Sequence, residues 1–246
     1  MEIFNIKLEF DHNTFHNTIE QSVANKGKGY VCVVDGNVLS VTCKDLEYQK
    51  VVKNALVNTC DSSYIAKMAS DIYGQKFEAL NGPRVFEHYI KQPYKQLLLG
   101  NTEETYHKIV EKMNADGGNS DNLKYLPVPF AKVEDFDYEG ISSQINAIKP
   151  DLIWVSLGAP KQERFMSMLL PYIEQGVMFG IGAAFNYYVG AICEPKIQIG
   201  GVRLIWLQRI FEEPKKQIRR CWNFLTVIPK LKREERQRKK SKETAK

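Results

Sequence analysis

Five short, largely apolar runs, at residues 29–34, 97–99, 123–128, 152–157 and 177–182, constrain this chain more than any other feature. Each has the length of a strand, and glycine, proline or a small polar turn follows or interrupts it. Between them lie stretches with helical spacing of apolar residues: 45–58, 62–73 closed by Gly74, 101–115, 139–149 stopped before Pro150, and 160–170. Strands that alternate with helices build a Rossmann-like, doubly wound α/β sheet. Residues 2–9 alternate with a period near two, which predicts one more half-buried strand.

The ends of these strands are where polar residues gather. Asp35, Gly36 and Asn37 form a turn at the end of the 29–34 run, and ligands of open parallel sheets bind at that edge. Asp61 falls in a strand-to-helix or helix-to-helix connection, where it is also a candidate N-cap for the helix that starts at Ser62. Asn101 to Glu104 has the spacing of a capping box.

The 152–163 stretch is the most informative. An apolar run meets Gly158 and then Pro160, which suits the first turn of a helix. A strand, a glycine turn and a helix start aim backbone N–H groups and a positive dipole end at an anion. Lys161, Gln162 and Glu163 stand at the mouth of that turn, a mixture suited to a ligand with both phosphate and hydroxyl groups. An ordinary strand–helix junction with a solvated first turn has the same spacing.

Charge divides the chain. Residues 203–246 carry fifteen Lys/Arg and five Glu, a net of +10, which leaves −5 on the rest. A basic tail implies an anionic partner, a membrane surface or nucleic acid. From Val202 onward, Trp, Leu, Ile and Phe alternate with Arg and Lys at helical spacing, first to Phe211 and then from Pro214 to Ile228. That composition predicts two short amphipathic helices of the kind that lie in a membrane interface. RNA-binding surfaces array aromatics on a sheet face instead. Residues 230–246 are too polar to pack and are expected to be disordered. The expected organisation is an α/β catalytic domain over 1–195, a membrane-associating appendage over 196–229 and a basic tail over 230–246.

Other signals are weak. The nearly uncharged 176–193 stretch holds four glycines, an Asn and two Tyr, so it reads as core strand and turn rather than a membrane span. Five scattered cysteines, none in a C-x-x-C pair, suggest neither a zinc site nor a disulfide framework. The first residues lack the pattern of a signal peptide. Asp135 and Asp137 form a D-x-D in a charged surface run, and His12 and His16 lack an accompanying acid, so no metal is expected. Gly180 and Gly182 lack the third glycine of a dinucleotide fingerprint, so no cofactor is expected either.

At Leu157-Gly-Ala-Pro-Lys-Gln-Glu163 the chain resembles the WecG/TagA/CpsF glycosyltransferases, bacterial enzymes of cell-surface polysaccharide and teichoic-acid synthesis. Further matching positions are Leu98-Leu-Gly100, Phe179 to Phe185 with Gly190 and Pro195, and Trp206-Leu-x-Arg209 followed by Glu213, Pro214, Arg219 and Arg220. Asn37 and Asp61 match the family's early Asn and loop Asp. The resemblance implies transfer of an N-acetylhexosamine-type sugar from a UDP-sugar to a polyprenyl-diphosphate-linked sugar. It implies an inverting, metal-independent reaction at the cytoplasmic face of the membrane, by a peripheral protein, with homo-oligomers left open. Asp61 is then the expected base, with Asn37, Asp35, Gly158, Lys161, Gln162, Glu163, Gly180 and Gly182 around the substrate. Arg209, Arg219 and Arg220 are expected on phosphate or lipid. The alternative is a nucleotide-binding α/β protein that uses its basic tail on nucleic acid. Five positions depart from the family pattern: Asp35, Ser62, Ala79, the Cys193-Glu194 pair and Ile205.

Overall fold

The computed structural model describes residues 1–192, 198–199, 202–203 and 214–244. Its centre is a six-stranded sheet, parallel throughout, of Lys28–Val34 (β3), Val57–Cys60 (β4), Gln96–Leu99 (β5), Leu123–Leu126 (β6), Leu152–Val155 (β7) and Gly176–Gly180 (β8). The strand order is β4-β3-β8-β7-β5-β6. Helices cover both faces, so the expected doubly wound sheet is present. Alternate strand residues enter opposite cores. Tyr30, Cys32 and Val34 face one, with Ile153, Val155 and Met178. Val31 and Val33 face the other, with Leu152, Trp154 and Phe179. Strands buried on both faces are apolar along nearly their whole length, and this is why the runs stood out in the sequence; the buried polar exceptions, Asn58, Thr59 and Gln96, have hydrogen-bond partners.

On the first face lie Gly36–Thr42 (α2), Leu46–Lys53 (α3), Ser63–Tyr73 (α4), Tyr138–Ile148 (α7) and Lys161–Leu169 (α8). On the second lie His12–Ala24 (α1), Gly82–Ile90 (α5), Glu103–Ala115 (α6) and Ala184–Tyr188 (α9). From β3 the chain runs outward to β4 under α2 and α3. From β5 it runs outward the other way, to β6, across α6 on the opposite face. Between these divergent crossovers the carboxyl ends of the strands are left uncovered by their own connections, the usual position of a ligand crevice.

Several local expectations are corrected. Residues 2–9 are not one strand. Glu2–Ile3 (β1) and Ile6–Lys7 (β2) pair antiparallel around Phe4 and Asn5, both at positive φ (54° and 63°), a tight two-residue hairpin turn. The helix expected over 45–58 ends at Lys53, because Val57, Thr59 and Cys60 belong to β4; apolar Ala55 and Leu56 extend the helical spacing past the true end. Asp35 is an N-cap rather than a loose turn residue: its side chain accepts from the Val38 N–H. Thr102, not Asn101, caps α6. Helix α5 was not foreseen, although Asn81 as cap and Pro83 in the first turn are its start signals.

The carboxyl-terminal region is corrected most. The stretch 204–213, with Trp206 and Arg209, lies outside the described residues. Two short strands, Gln198–Ile199 (β9) and Val202–Arg203 (β10), pair antiparallel. Pro214–Thr244 then forms one continuous helix (α10), including the segment expected to be disordered. Val227, Ile228 and Leu231 join the first-face core, and Glu235 is buried. The polar tail is anchored through individual buried residues, which average composition hides. The helix passes so close to α2 that a Cβ on Gly36 would stand 2.8 Å from the Phe224 ring. Among the described residues no helix is long and apolar enough to cross a membrane.

Candidate active site

The uncovered strand ends form a cleft of about 690 Å³. Its walls come from the ends of β3 (Val33, Asp35), β4 (Asp61), β7 (Leu157, Gly158, Ala159) and β8 (Gly180 to Ala184). Asn81 and Pro83 of the α5 start, Gln162, Asn186, Tyr187 and Arg220 also line it. Five of the residues expected around substrate, Asp35, Gly158, Gln162, Gly180 and Gly182, together with the expected base Asp61, therefore meet in one place.

Asp61 is the first residue after β4. Its amide donates to the Val34 carbonyl, and its Oδ1 accepts from the Gly82 N–H at 2.8 Å. It does not cap α4; Ser62 does that. A carboxylate at the first turn of α5 lies in the favourable end of that helix's dipole, and the hydrogen bond fixes how it faces the cleft. Asp35 reaches the same cavity while capping α2 at 2.8 Å.

The 158–163 stretch divides. Gln162 is buried and lines the cleft; its Oε1 accepts from Gly158 N–H at 3.1 Å and its Nε2 donates to Glu163 at 2.9 Å. The Gln162 amide in turn donates to the Gly158 carbonyl. Two of the N–H groups expected to cradle phosphate are thus committed within the turn. Pro160 occupies the N-cap position rather than the first helical one. Gly158 is left-handed at φ 77°. Gly180 forms the floor because nothing larger fits: an added Cβ would sit 2.7 Å from Met166 and 3.1 Å from the Gln162 Nε2. Gly182 accepts a 2.6 Å hydrogen bond from the Ser156 hydroxyl.

Glu163 and Lys161 are corrections. Glu163 was expected around the substrate, but it is fully buried beneath the cleft wall, where it accepts from Tyr48 Oη at 3.0 Å and from Gln162. Burial pushes its carboxyl up to about 7. Lys161 turns away, its ammonium lying 5.1 and 5.0 Å from the ring centroids of Phe130 and Phe136. Alternation along a helix explains both: neighbouring residues point about 100° apart, and a motif read as a line cannot tell them apart. Asn37 does not line the cleft; its Nδ2 is buried without a hydrogen-bond partner among the described residues.

Of the three arginines, Arg220 reaches the cleft, and its Nη2 donates to the Ala159 carbonyl at 3.2 Å. Arg219 is exposed, and Arg209 lies outside the described residues. Asn81, Asn186 and Tyr187 were not foreseen; only Asn81, as a helix cap before Pro83, carried a legible signal. Asp137 caps α7 and Asp135 ends a 3₁₀ turn, so the D-x-D serves local structure. Among the described residues no group of three or more His, Cys, Asp or Glu is placed to hold a metal.

The cleft thus combines two carboxylates, carboxamides suited to reading hydroxyls, and one described cation in its wall, Arg220. The Glycosyl transferase WecG/TagA/CpsF family model matches residues 1–241. A Staphylococcus aureus (strain MW2) protein is 22% identical over 240 residues, covering 92% of this chain and 91% of the relative. A Bacillus subtilis (strain 168) protein is 21% identical over 204 residues, covering 81% and 76%. Both are called N-acetylglucosaminyldiphosphoundecaprenol N-acetyl-beta-D-mannosaminyltransferase.

Proposed function

The chain belongs to the WecG/TagA/CpsF glycosyltransferase family, and from that premise we propose that it moves an N-acetylhexosamine-type sugar from a UDP-sugar to a polyprenyl-diphosphate-linked sugar, with inversion. The names of the relatives make an N-acetylmannosamine donor and an N-acetylglucosaminyl-diphosphoundecaprenol acceptor the first pair to test. The observation that carries the reading is Asp61, held at the cleft by the Gly82 N–H.

In a single displacement the acceptor hydroxyl attacks the anomeric carbon. Its proton passes to the Asp61 carboxylate as the new C–O bond forms. The bond from the anomeric carbon to the diphosphate breaks, and UDP leaves with the electron pair. A base in contact with the attacking hydroxyl contributes about a hundredfold to ten-thousandfold. The departing charge needs cations and N–H groups, and Arg220, which already reaches the cleft wall, is suited to bidentate phosphate contact. The carboxamides of Asn81, Gln162 and Asn186 would read sugar or uracil groups.

The lipid-borne acceptor calls for a protein that works at a membrane surface. On α10, Ile218, Trp222 and Leu225 are exposed at helical spacing close to Arg219 and Arg220. An apolar stripe flanked by cations suits an interface rich in anionic lipid. Peripheral attachment at the cytoplasmic face follows from this reading.

The test is a UDP-release screen over UDP-N-acetylhexosamines with a short-chain diphospholipid acceptor, with and without EDTA. EDTA-resistant release that depends on acceptor supports the proposal. Release that requires a divalent cation overturns its metal-independent form, and no release with any pair overturns the donor class.

A further inference from the structure

Glu163 has no place in the displacement chemistry, yet it is the most completely enclosed acid near the cleft. Its described hydrogen-bond donors are neutral: the Tyr48 hydroxyl on Oε2 at 3.0 Å, the Gln162 Nε2 on Oε1 at 2.9 Å and its own backbone N–H. From the packed elements, Cys32 of β3 and Asp35 at the start of α2 face it, and neither brings a positive charge. Arg164 lies beyond the Tyr48 ring, 5.4 Å from its centroid, and is engaged with Asp45. A buried carboxylate with only neutral donors is costly to keep.

What the carboxylate determines is the direction of one side chain. A carboxamide has a donor end and an acceptor end of nearly equal shape. With Nε2 turned to Glu163, Gln162 presents Oε1 to the Gly158 N–H at 3.1 Å. Reversed, it would set an NH₂ against that N–H and an oxygen against the carboxylate, both repulsive. Gln162 and Gly158 are cleft wall, and the Gln162 amide nitrogen lies against Gly180. The acid below the wall therefore selects which polar end the wall presents.

We propose that Glu163 is a positioning residue: by accepting from Gln162 it fixes that carboxamide and the Gly158 turn in the orientation that binds the donor, and its protonation, which replaces a charged acceptor with a neutral one, weakens that hold. The kinetic consequence rests on the glycosyl-transfer reading; the orientation itself does not. Because burial holds the carboxyl at about 7, the switch between the two states falls close to neutral pH.

Two variants and one measurement test this. Glu163→Met keeps the volume and removes the acceptor. It should lower kcat/KM about tenfold to a hundredfold, mainly through KM for the UDP-sugar, in protein that circular dichroism shows to be folded. Glu163→Gln keeps a neutral acceptor oxygen for Gln162, as the protonated acid does, so it should restore part of that loss, match the wild type below neutral pH and remove the pH dependence of kcat/KM around 7. A folded Glu163→Met enzyme with wild-type constants overturns the proposal. Should that variant fail to fold, the wild-type protein labelled with side-chain ¹⁵N-glutamine decides. The Gln162 amide signals, assigned by their loss in Gln162→Ala, should move with a midpoint near 7; signals that stay fixed between pH 5.5 and 8.5 (about 1.5 units either side of 7) overturn it. If wild-type protein releases UDP from no donor, the transferase reading falls, and the same titration still supports or overturns the role of Glu163.

Discussion

Glu163 under the cleft and Glu235 on α10 are withdrawn from water to the same degree, 0% and 1% exposed, and each accepts from a tyrosine hydroxyl. Their other partners differ. Glu235 also accepts from the Phe4 N–H at 2.6 Å in the β1–β2 turn, and Arg238 lies at 3.3 Å. Arg238 bonds Asn5 as well. This carboxylate ties the beginning of the chain to its end, with its charge answered by a cation. Glu163 has no such answer among the described residues, and its proton is held to about 7. The difference teaches that burial of an acid does not by itself mark a function. An acid matched by a cation and a backbone N–H holds elements together; one left with neutral donors stays sensitive to pH.

The contrast is broken or sharpened most strongly at Asp61. Asn in its place keeps an oxygen for the Gly82 N–H, so the fold should be indifferent. Turnover should fall about a hundredfold to ten-thousandfold in the UDP-release assay, with Tm unchanged. A loss of Tm with turnover per folded molecule intact would move Asp61 to the structural side, beside Glu235.

Next comes Glu235→Leu. It strands the Phe4 N–H, the Tyr73 hydroxyl and Arg238 at once. Removing one partner of a buried ion pair costs about 3–5 kcal/mol, to be read from urea unfolding followed by circular dichroism. A cost below about 1 kcal/mol would reduce this contact to an ordinary surface pair.

Glu163 gives a smaller effect, with a distinct pH signature. Its carboxyl is raised from 4.5 to about 7 in the folded protein. The folded state holds the proton that the unfolded chain has already released, so this group's stabilisation is complete below 4.5 and is lost as pH rises to about 7. The wild type should lose on the order of 3 kcal/mol across that window relative to Glu163→Gln. Parallel stability curves for the two proteins would contradict the burial of an uncompensated acid.

Reading these effects from the sequence alone succeeds for the sheet and fails for directions. The strands were legible because burial on two faces leaves no polar residue in runs such as 152–155. That Asp61, Gln162 and Arg220 would fall near one another was legible because strand ends and the family motif fix where they lie, and all three line the cleft. Lys161 and Glu163 were misplaced because rotation about a helix axis, not order along the chain, decides which residue faces the cleft. The helix over 230–244 was missed because its mean polarity conceals Leu231 and Glu235, two residues that the rest of the fold receives. The clasp of Glu235 on Phe4 joins positions 231 residues apart, a distance over which local pattern carries no information.

Asp45 supplies the mildest test, and it isolates the missing cation. This acid caps α3 through the Tyr48 N–H at 2.9 Å and pairs with Arg164 at 2.5 Å, both side chains being about a third exposed. The Tyr48 N–H and, less strongly, the Arg164 charge hold its carboxyl below the usual range. Asn caps helices as well as Asp does, so Asp45→Asn removes only the ion pair and should cost less than about 1 kcal/mol. It also frees the guanidinium that lies over the ring of Tyr48, whose hydroxyl bonds Glu163. Because Arg164, about a third exposed to screening solvent, lies over the Tyr48 ring, while Glu163 is fully buried at that ring's hydroxyl, the midpoint of the Glu163-linked titration should stay where it is. A midpoint that falls in Asp45→Asn would mean that Arg164, once released, reaches the buried acid. Glu163 would then resemble Glu235 in having a cation within reach, and the distinction between the two carboxylates would depend on Asp45 holding that cation away.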